Sequence, residues 1–251
     1  MYHAATPVAG RLRHLGLTEG LLLRQLSAIS AAGFSLVGLT EAIEAWGRGE
    51  KVVAVTFDDA YTDFLSVAVP TLAAVGAKAT VYVPTQHVGS SAAWLGERQH
   101  ELPPVMAYQD LRTCLASGLV EIGSHGHRHV PLDTLNATDL SDELQRSKRL
   151  LESNLGILVR SLCYPHGYHS QAVRDAASAT GYDNACEVGR HLRTVSHRFA
   201  ISRLAVSPNQ QPDQLLQEIH SGGPRIIPFA KRLAQPVWRQ VRRHTARRLQ
   251  P

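Results

Sequence analysis

Short apolar runs recur along the chain, separated by longer stretches in which apolar residues return every three or four positions. The runs FSLVG (34–38), VVAVTF (52–57), ATVYVP (79–84), LVEIGS (119–124), SLCYP (161–165) and FAISRLAV (199–206) predict β-strands. Helical spacing predicts helices over 18–32, 40–47, 63–75, 108–117, 138–155 and 170–180, and Pro212-Asp213 opens a further one. Thr138, followed by acidic residues, reads as the cap of the 138–155 helix, and Gly156 as its stop. Gly76, Gly118 and Gly181 stand where other helices should end. Continuous apolar strands alternating with helices imply a mostly parallel sheet covered by helices, with its chemistry in loops at the carboxyl ends of the strands. Residues 86–104 show no period and read as an excursion loop, and no internal repeat is evident.

Composition narrows the class. A chain of 251 residues, 44% hydrophobic, can bury a large core, and suits one barrel-sized α/β domain or two small ones. Cys114, Cys163 and Cys186 are odd in number and lack paired spacing, which argues for buried thiols rather than a disulfide framework. No secretory signal or membrane-span-length segment is recognised, so the expected location is the cytoplasm or the inner face of its membrane. The formal charge of +5 is concentrated at one end. Eight basic and no acidic residues follow Ile219, and without them the body carries −3, which argues against a nucleic-acid enzyme. The expected division is a catalytic domain over 1–223 and a basic tail over 224–251. An extended solvated tail is the plain reading of the latter, and peripheral contact with anionic membrane is the sharper one.

Polar residues collect at the predicted strand ends. Asp58 and Asp59 follow 52–57 in TFDDAY, and His125, His127 and His129 follow 119–124 in SHGHRH. Two adjacent carboxylates at the end of a buried strand repel each other and lose hydration. A cation resolves this: one carboxylate joins two histidines as ligand, while the other stays free to take a proton from water. Helix capping by one aspartate and a solvated histidine loop are the bland alternatives. The i, i+4 pair His125/His129 suits ligation on a helical turn, whereas in a strand or turn all three histidines could share one side.

TFDDAY, SHGHRH and YPHG (164–167), in this order and spacing, resemble the first three motifs of the polysaccharide deacetylase family, the NodB-homology or carbohydrate esterase 4 group. The resemblance covers about residues 52–167. It implies an α/β fold, a distorted (β/α) barrel of about seven units in a single domain, with a divalent metal held by an Asp-His-His set. Carried over by position, Asp58 matches the catalytic base, Asp59 the metal aspartate, and His125 and His129 the metal histidines. His127 matches no ligand. His166 matches the residue whose backbone N–H meets the developing oxyanion, with Tyr164 beside it. The departures are Ala60 for glycine, His166 for tyrosine, and the absence of a D-x-x-D-W motif.

The resemblance also implies a general acid. His220 is the candidate near the C-terminus, although Glu218 replaces the leucine of the usual motif. His3 in MYH resembles the Tyr-His opening of the exopolysaccharide-modifying branch and is preferred. Arg203 resembles the arginine that orients the base, with Arg160 as its rival. The reading is metal-dependent hydrolysis of acetyl groups, N-acetyl first, from a glycan or lipid-linked saccharide in exopolysaccharide or envelope assembly. Zn2+ is the expected cation, with Co2+, Ni2+ or Fe2+ as alternatives. The rival functions are hydrolysis of another non-peptide C–N bond, in a small amide or cyclic ureide, and an inactive glycan-binding member.

Overall fold

The computed structural model describes residues 1–189 and 197–223. A two-stranded parallel sheet pairs β1 (Ser35–Val37) with β2 (Val52–Ala54). Six parallel strands form the main curled sheet, in the order β3 (Thr56–Phe57), β4 (Ala79–Val83), β5 (Val120–Ser124), β6 (Ser161–Cys163), β7 (Asn184–Gly189) and β8 (Ile201–Leu204). The first two residues bridge the seam between β3 and β8. Tyr2 N donates to Thr56 O at 2.8 Å and Asp58 N donates to Tyr2 O at 2.9 Å. On the other side Met1 N donates to Leu204 O at 2.6 Å and Val206 N donates to Met1 O at 3.1 Å. The result is the distorted barrel that the family resemblance implies.

The helices α1 (Glu19–Ala31), α2 (Leu39–Gly47), α3 (Val69–Val75), α4 (Tyr108–Ala116), α5 (Ala137–Leu155), α6 (Gln171–Ala179) and α7 (Pro212–Ser221) cover it. Burial of Val81, Ile122 and Leu162 among Phe57, Phe64 and Leu72 makes a continuous core, so the strands read as unbroken apolar runs. Leu140, Leu144 and Leu151 turn one face of α5 inward at helical spacing.

The structure corrects several local expectations. The run 52–57 is two strands, because Val55 changes partners: its N–H goes to Val37 O and its carbonyl accepts from Thr80 N. β7 was not expected. Its sequence NACEVG is small and polar, without the β-branched run that marks a strand. The helix expected over 63–75 opens as a wider π turn, Phe64–Ala68, ahead of Pro70, which has no N–H to donate. Asn136, not Thr138, caps α5, its side chain accepting from Asp139 N at 2.9 Å. The expected basic tail lies outside the described residues. Among those described, no helix is long and apolar enough to cross a membrane.

Candidate active site

The carboxyl ends of β3, β5 and β6, the inner face of β8 and the segment after Tyr2 meet at one end of the barrel. Asp58 and Asp59 leave β3, and the backbone turns at once. Among the described residues, the non-glycine positions with positive φ are Asp59 (69°), Ala60 (53°), His129 (59°) and His166 (60°). All four lie at this end. Left-handed backbone costs a side-chain-bearing residue energy, and its concentration here shows that the surrounding contacts impose the geometry.

The two aspartates diverge. Asp59 Oδ1 lies 3.1 Å from His129 Nε2 and 3.5 Å from His125 Nε2. Its other oxygen accepts from the Tyr61 hydroxyl at 3.0 Å. Asp58 turns the opposite way, where Arg203 grips it with two bonds, Nη1 to Oδ1 at 2.7 Å and Nη2 to Oδ2 at 2.8 Å. Burial opposes ionisation of both groups. Arg203, with His125 and His3, overcomes it at Asp58, and His129, His3 and His125 overcome it at Asp59, so both carboxyls are held well below the usual range.

His125 Nδ1 lies 2.8 Å from Cys163 O, which can only accept, so the proton is on Nδ1 and Nε2 faces Asp59. Burial lowers its pKa to about 4, keeping the ring neutral at physiological pH. His125 and His129 converge from a loop containing Gly126 rather than from a helical turn. Ligand atoms of Asp59, His125 and His129 lie within 4.8 Å of one another. Asp59 Oδ1 is buried without a hydrogen-bond partner. An acceptor oxygen orphaned beside two imidazole nitrogens fits a divalent cation, which would supply the missing partner. Asp58, His125 and Cys163 also cluster, but Arg203 already engages both Asp58 oxygens and lies 2.8 Å from Cys163 Sγ.

His3 is half-buried beside the pair. Burial and Arg203 lower its pKa, while Asp59 and Asp58 act to raise it. Its segment is clamped, not frayed: Thr6 N and Oγ1 both donate to Asp63 Oδ2, at 2.9 and 2.7 Å. His220 is exposed at the end of α7, its Nδ1 turned to Leu216 O. Arg160 does not approach Asp58; it binds Asp183 at 2.5 Å and Glu44 at 3.0 Å ahead of β6. The Tyr164 side chain is fully buried, its hydroxyl donating to Phe199 O, so it reaches no substrate. His166 is exposed at the mouth; desolvation of its ring by the surrounding protein, helped by His129 and His125, holds its pKa down to about 4. His127 is buried, with Nδ1 2.9 Å from Thr85 Oγ1.

Sequence reasoning missed three supports. Glu143, fully buried on α5, accepts from His127 N at 2.8 Å and Arg128 Nε at 2.7 Å, and so holds the histidine loop. An acidic residue on the apolar stripe of α5 was the available signal. Cys163 supplies the carbonyl that orients His125 and a thiol beside Arg203. Trp94, from the excursion loop, stacks on His129 with ring centroids 4.4 Å apart.

The polysaccharide deacetylase family model matches residues 47–185. The Bacillus subtilis protein YxkH, named as a polysaccharide deacetylase, is 30% identical over 161 residues, 63% of this chain and 53% of its own. The chain thus spans about half the length of that curated relative. The Streptococcus pyogenes deacetylase PplD, solved in complex with acetate, superposes with a TM-score of 0.75 at 24% identity, over 89% of this chain and 96% of its own. IcaB from Ammonifex degensii gives a TM-score of 0.72 at 21% identity, over 86% and 93%. These two likenesses show a shared fold. The family match contains both aspartates and both converging histidines but stops short of His3 and Arg203. The chain belongs to the polysaccharide deacetylase family.

Proposed function

We propose that the chain is a metal-dependent carbohydrate deacetylase that hydrolyses acetyl groups, N-acetyl first, from a glycan or lipid-linked saccharide. The observation that carries this reading is the division of the aspartate pair: Asp59 faces His125 and His129 with an orphaned oxygen, while Asp58 is clamped by Arg203. Asp59, His125 and His129 would hold the cation, with Zn2+ suited to two imidazoles and one carboxylate. When bound, it polarises water and the acetyl carbonyl.

Asp58 then takes the proton of the attacking water. Arg203 uses one lone pair on each carboxylate oxygen, which leaves the others able to accept, and keeps the group ionised before the proton arrives. The backbone N–H of His166 meets the developing oxyanion, and the left-handed turn at that residue fixes its direction. His3 delivers a proton to the departing nitrogen as the C–N bond breaks, leaving acetate and an amine. The family's name, and a structural relative solved with acetate, support acetyl transfer to water. The Tyr-His opening supports a place in exopolysaccharide or envelope assembly.

The test is acetate release from an N-acetylated oligosaccharide, measured with metal content. The zinc-loaded protein should release acetate, chelation should abolish release, and added Zn2+ should restore it. Stoichiometric metal without acetate from any acetylated sugar would overturn the reading in favour of glycan binding.

A further inference from the structure

Four rings stand in file across the mouth of the site. Trp94 and His129 have centroids 4.4 Å apart, His129 and His166 are 4.7 Å apart, and His166 and Tyr168 are 6.4 Å apart. The file begins at the excursion loop and ends at Tyr168, which is 37% exposed. At the end of β7, against Gly167 of the same turn, Val188 is 43% exposed. The other large exposed apolar residues among those described, Leu23, Trp46 and Leu158, lie on α1, on α2 and ahead of β6. Val188 thus lies against the turn that carries both Tyr168 and the exposed His166 imidazole.

The turn that carries this shelf is built to stay in place. Gly167 N donates to Tyr164 O at 2.8 Å, and Gly167 adopts φ 76°. A Cβ at Gly167 would meet Val188 N at 2.7 Å. Only glycine lets the turn lie this flush on β7. The close seat fixes His166 and Tyr168 on the open side and brings Val188 against their turn. A partly exposed aromatic ring on a turn seated against an aliphatic side chain suits a ligand with an apolar face. A pyranose ring is such a ligand.

We propose that Tyr168, with Val188 and the exposed side of His166, is the subsite for the sugar adjoining the one that loses its acetyl group. Tyr168 is then a specificity-determining residue. It gives the chain a preference for an acetylated sugar within an oligosaccharide over an isolated acetyl ester or amide. Contacts to this second sugar lie away from the reacting carbonyl, so they act through binding and alignment of the saccharide. The inference rests on the deacetylase reading.

The test compares two probes on the zinc-loaded full chain: an N-acetylglucosamine oligosaccharide and an aryl acetate ester too small to reach Tyr168. Tyr168→Ala should lower kcat/KM for the oligosaccharide about tenfold, mainly through KM, and leave aryl acetate hydrolysis unchanged. Tyr168→Phe keeps the ring and should retain wild-type values on both. Unchanged ester hydrolysis also reports that the variant is folded. Equal losses on both probes, or no loss on the oligosaccharide, would overturn the subsite while leaving the deacetylase reading intact. A wild-type chain that cleaves the ester but releases no acetate from any acetylated saccharide overturns that reading, and the subsite with it.

Discussion

Arg203 and Arg160 each meet a carboxylate, at opposite ends of the barrel. Arg160 and its partners Asp183 and Glu44 are about half exposed, their side chains at 47%, 45% and 52%. Arg203 and Asp58 are at 6% and 3%, and the arginine also bonds Thr56 Oγ1 and overlies the Tyr82 ring. Exposed pairs contribute about 0–1 kcal/mol, because water solvates either partner once the other is gone. A buried pair leaves an uncompensated charge when one member is removed, at about 3–5 kcal/mol. The same chemistry is thus dispensable at one end and structural at the other. The site end holds strained turns and buried charge, whereas the Arg160 pairs at the opposite end stand in water.

The sharpest break of this comparison is to remove each arginine. Arg203→Ala should cost about 3–5 kcal/mol in urea unfolding and roughly 10²–10⁴-fold in acetate release, since the base loses its orientation. Arg160→Ala should move the unfolding free energy by no more than about 1 kcal/mol and leave turnover alone. Equal costs at the two ends would erase the distinction.

Acid should act next, and mainly at the site end. In the unfolded chain His125 takes up a proton near about pH 6.5, but in the folded chain only near pH 4. Between these values the unfolded state binds more protons, so stability of the chelator-treated protein falls as pH drops from about 6.5 towards 4. Asp58 and Asp59, held low in the fold, extend the loss below about pH 4, as carboxyls of the unfolded chain begin to protonate. Urea midpoints across this range check the slope, and a flat profile would contradict the burial of a neutral His125.

Two buried or half-buried glutamates sharpen the contrast further. Glu143→Gln should weaken zinc binding about 10–100-fold by loosening the histidine loop, as read by chelator competition. Glu121, which accepts from Thr80 Oγ1 at 2.5 Å within the β4–β5 region, should leave zinc affinity unchanged when converted to glutamine. The smallest expected effects concern backbone strain. Ala60→Gly should add up to about 1 kcal/mol, because glycine accepts φ 53° without penalty. At the far end of α5, where glycine already serves at φ 69°, Gly156→Ala should cost about 1 kcal/mol. Opposite signs in thermal melts are the expected result.

What the sequence disclosed follows from the range of each interaction. Strand 79–84 was legible because both its faces are buried, which writes hydrophobicity into every position. The aspartates and histidines were legible because each set lies within a few residues on a strand end. β7 was not, since neighbours on both sides supply the packing that its small residues lack. Nor could the partner of Asp58 be chosen from sequence: Arg203 is 145 positions away, and only the curl of the sheet prefers it to Arg160. The buried orientation of Tyr164 and the role of Glu143 likewise depend on how helices seat against the barrel.

The most direct measurement compares Asp58→Asn with Asp59→Asn for zinc content and acetate release. The account predicts that Asp58→Asn retains stoichiometric zinc and releases no acetate, whereas Asp59→Asn loses the metal. Loss of zinc from Asp58→Asn, with retention by Asp59→Asn, would contradict the division of labour between the two carboxylates.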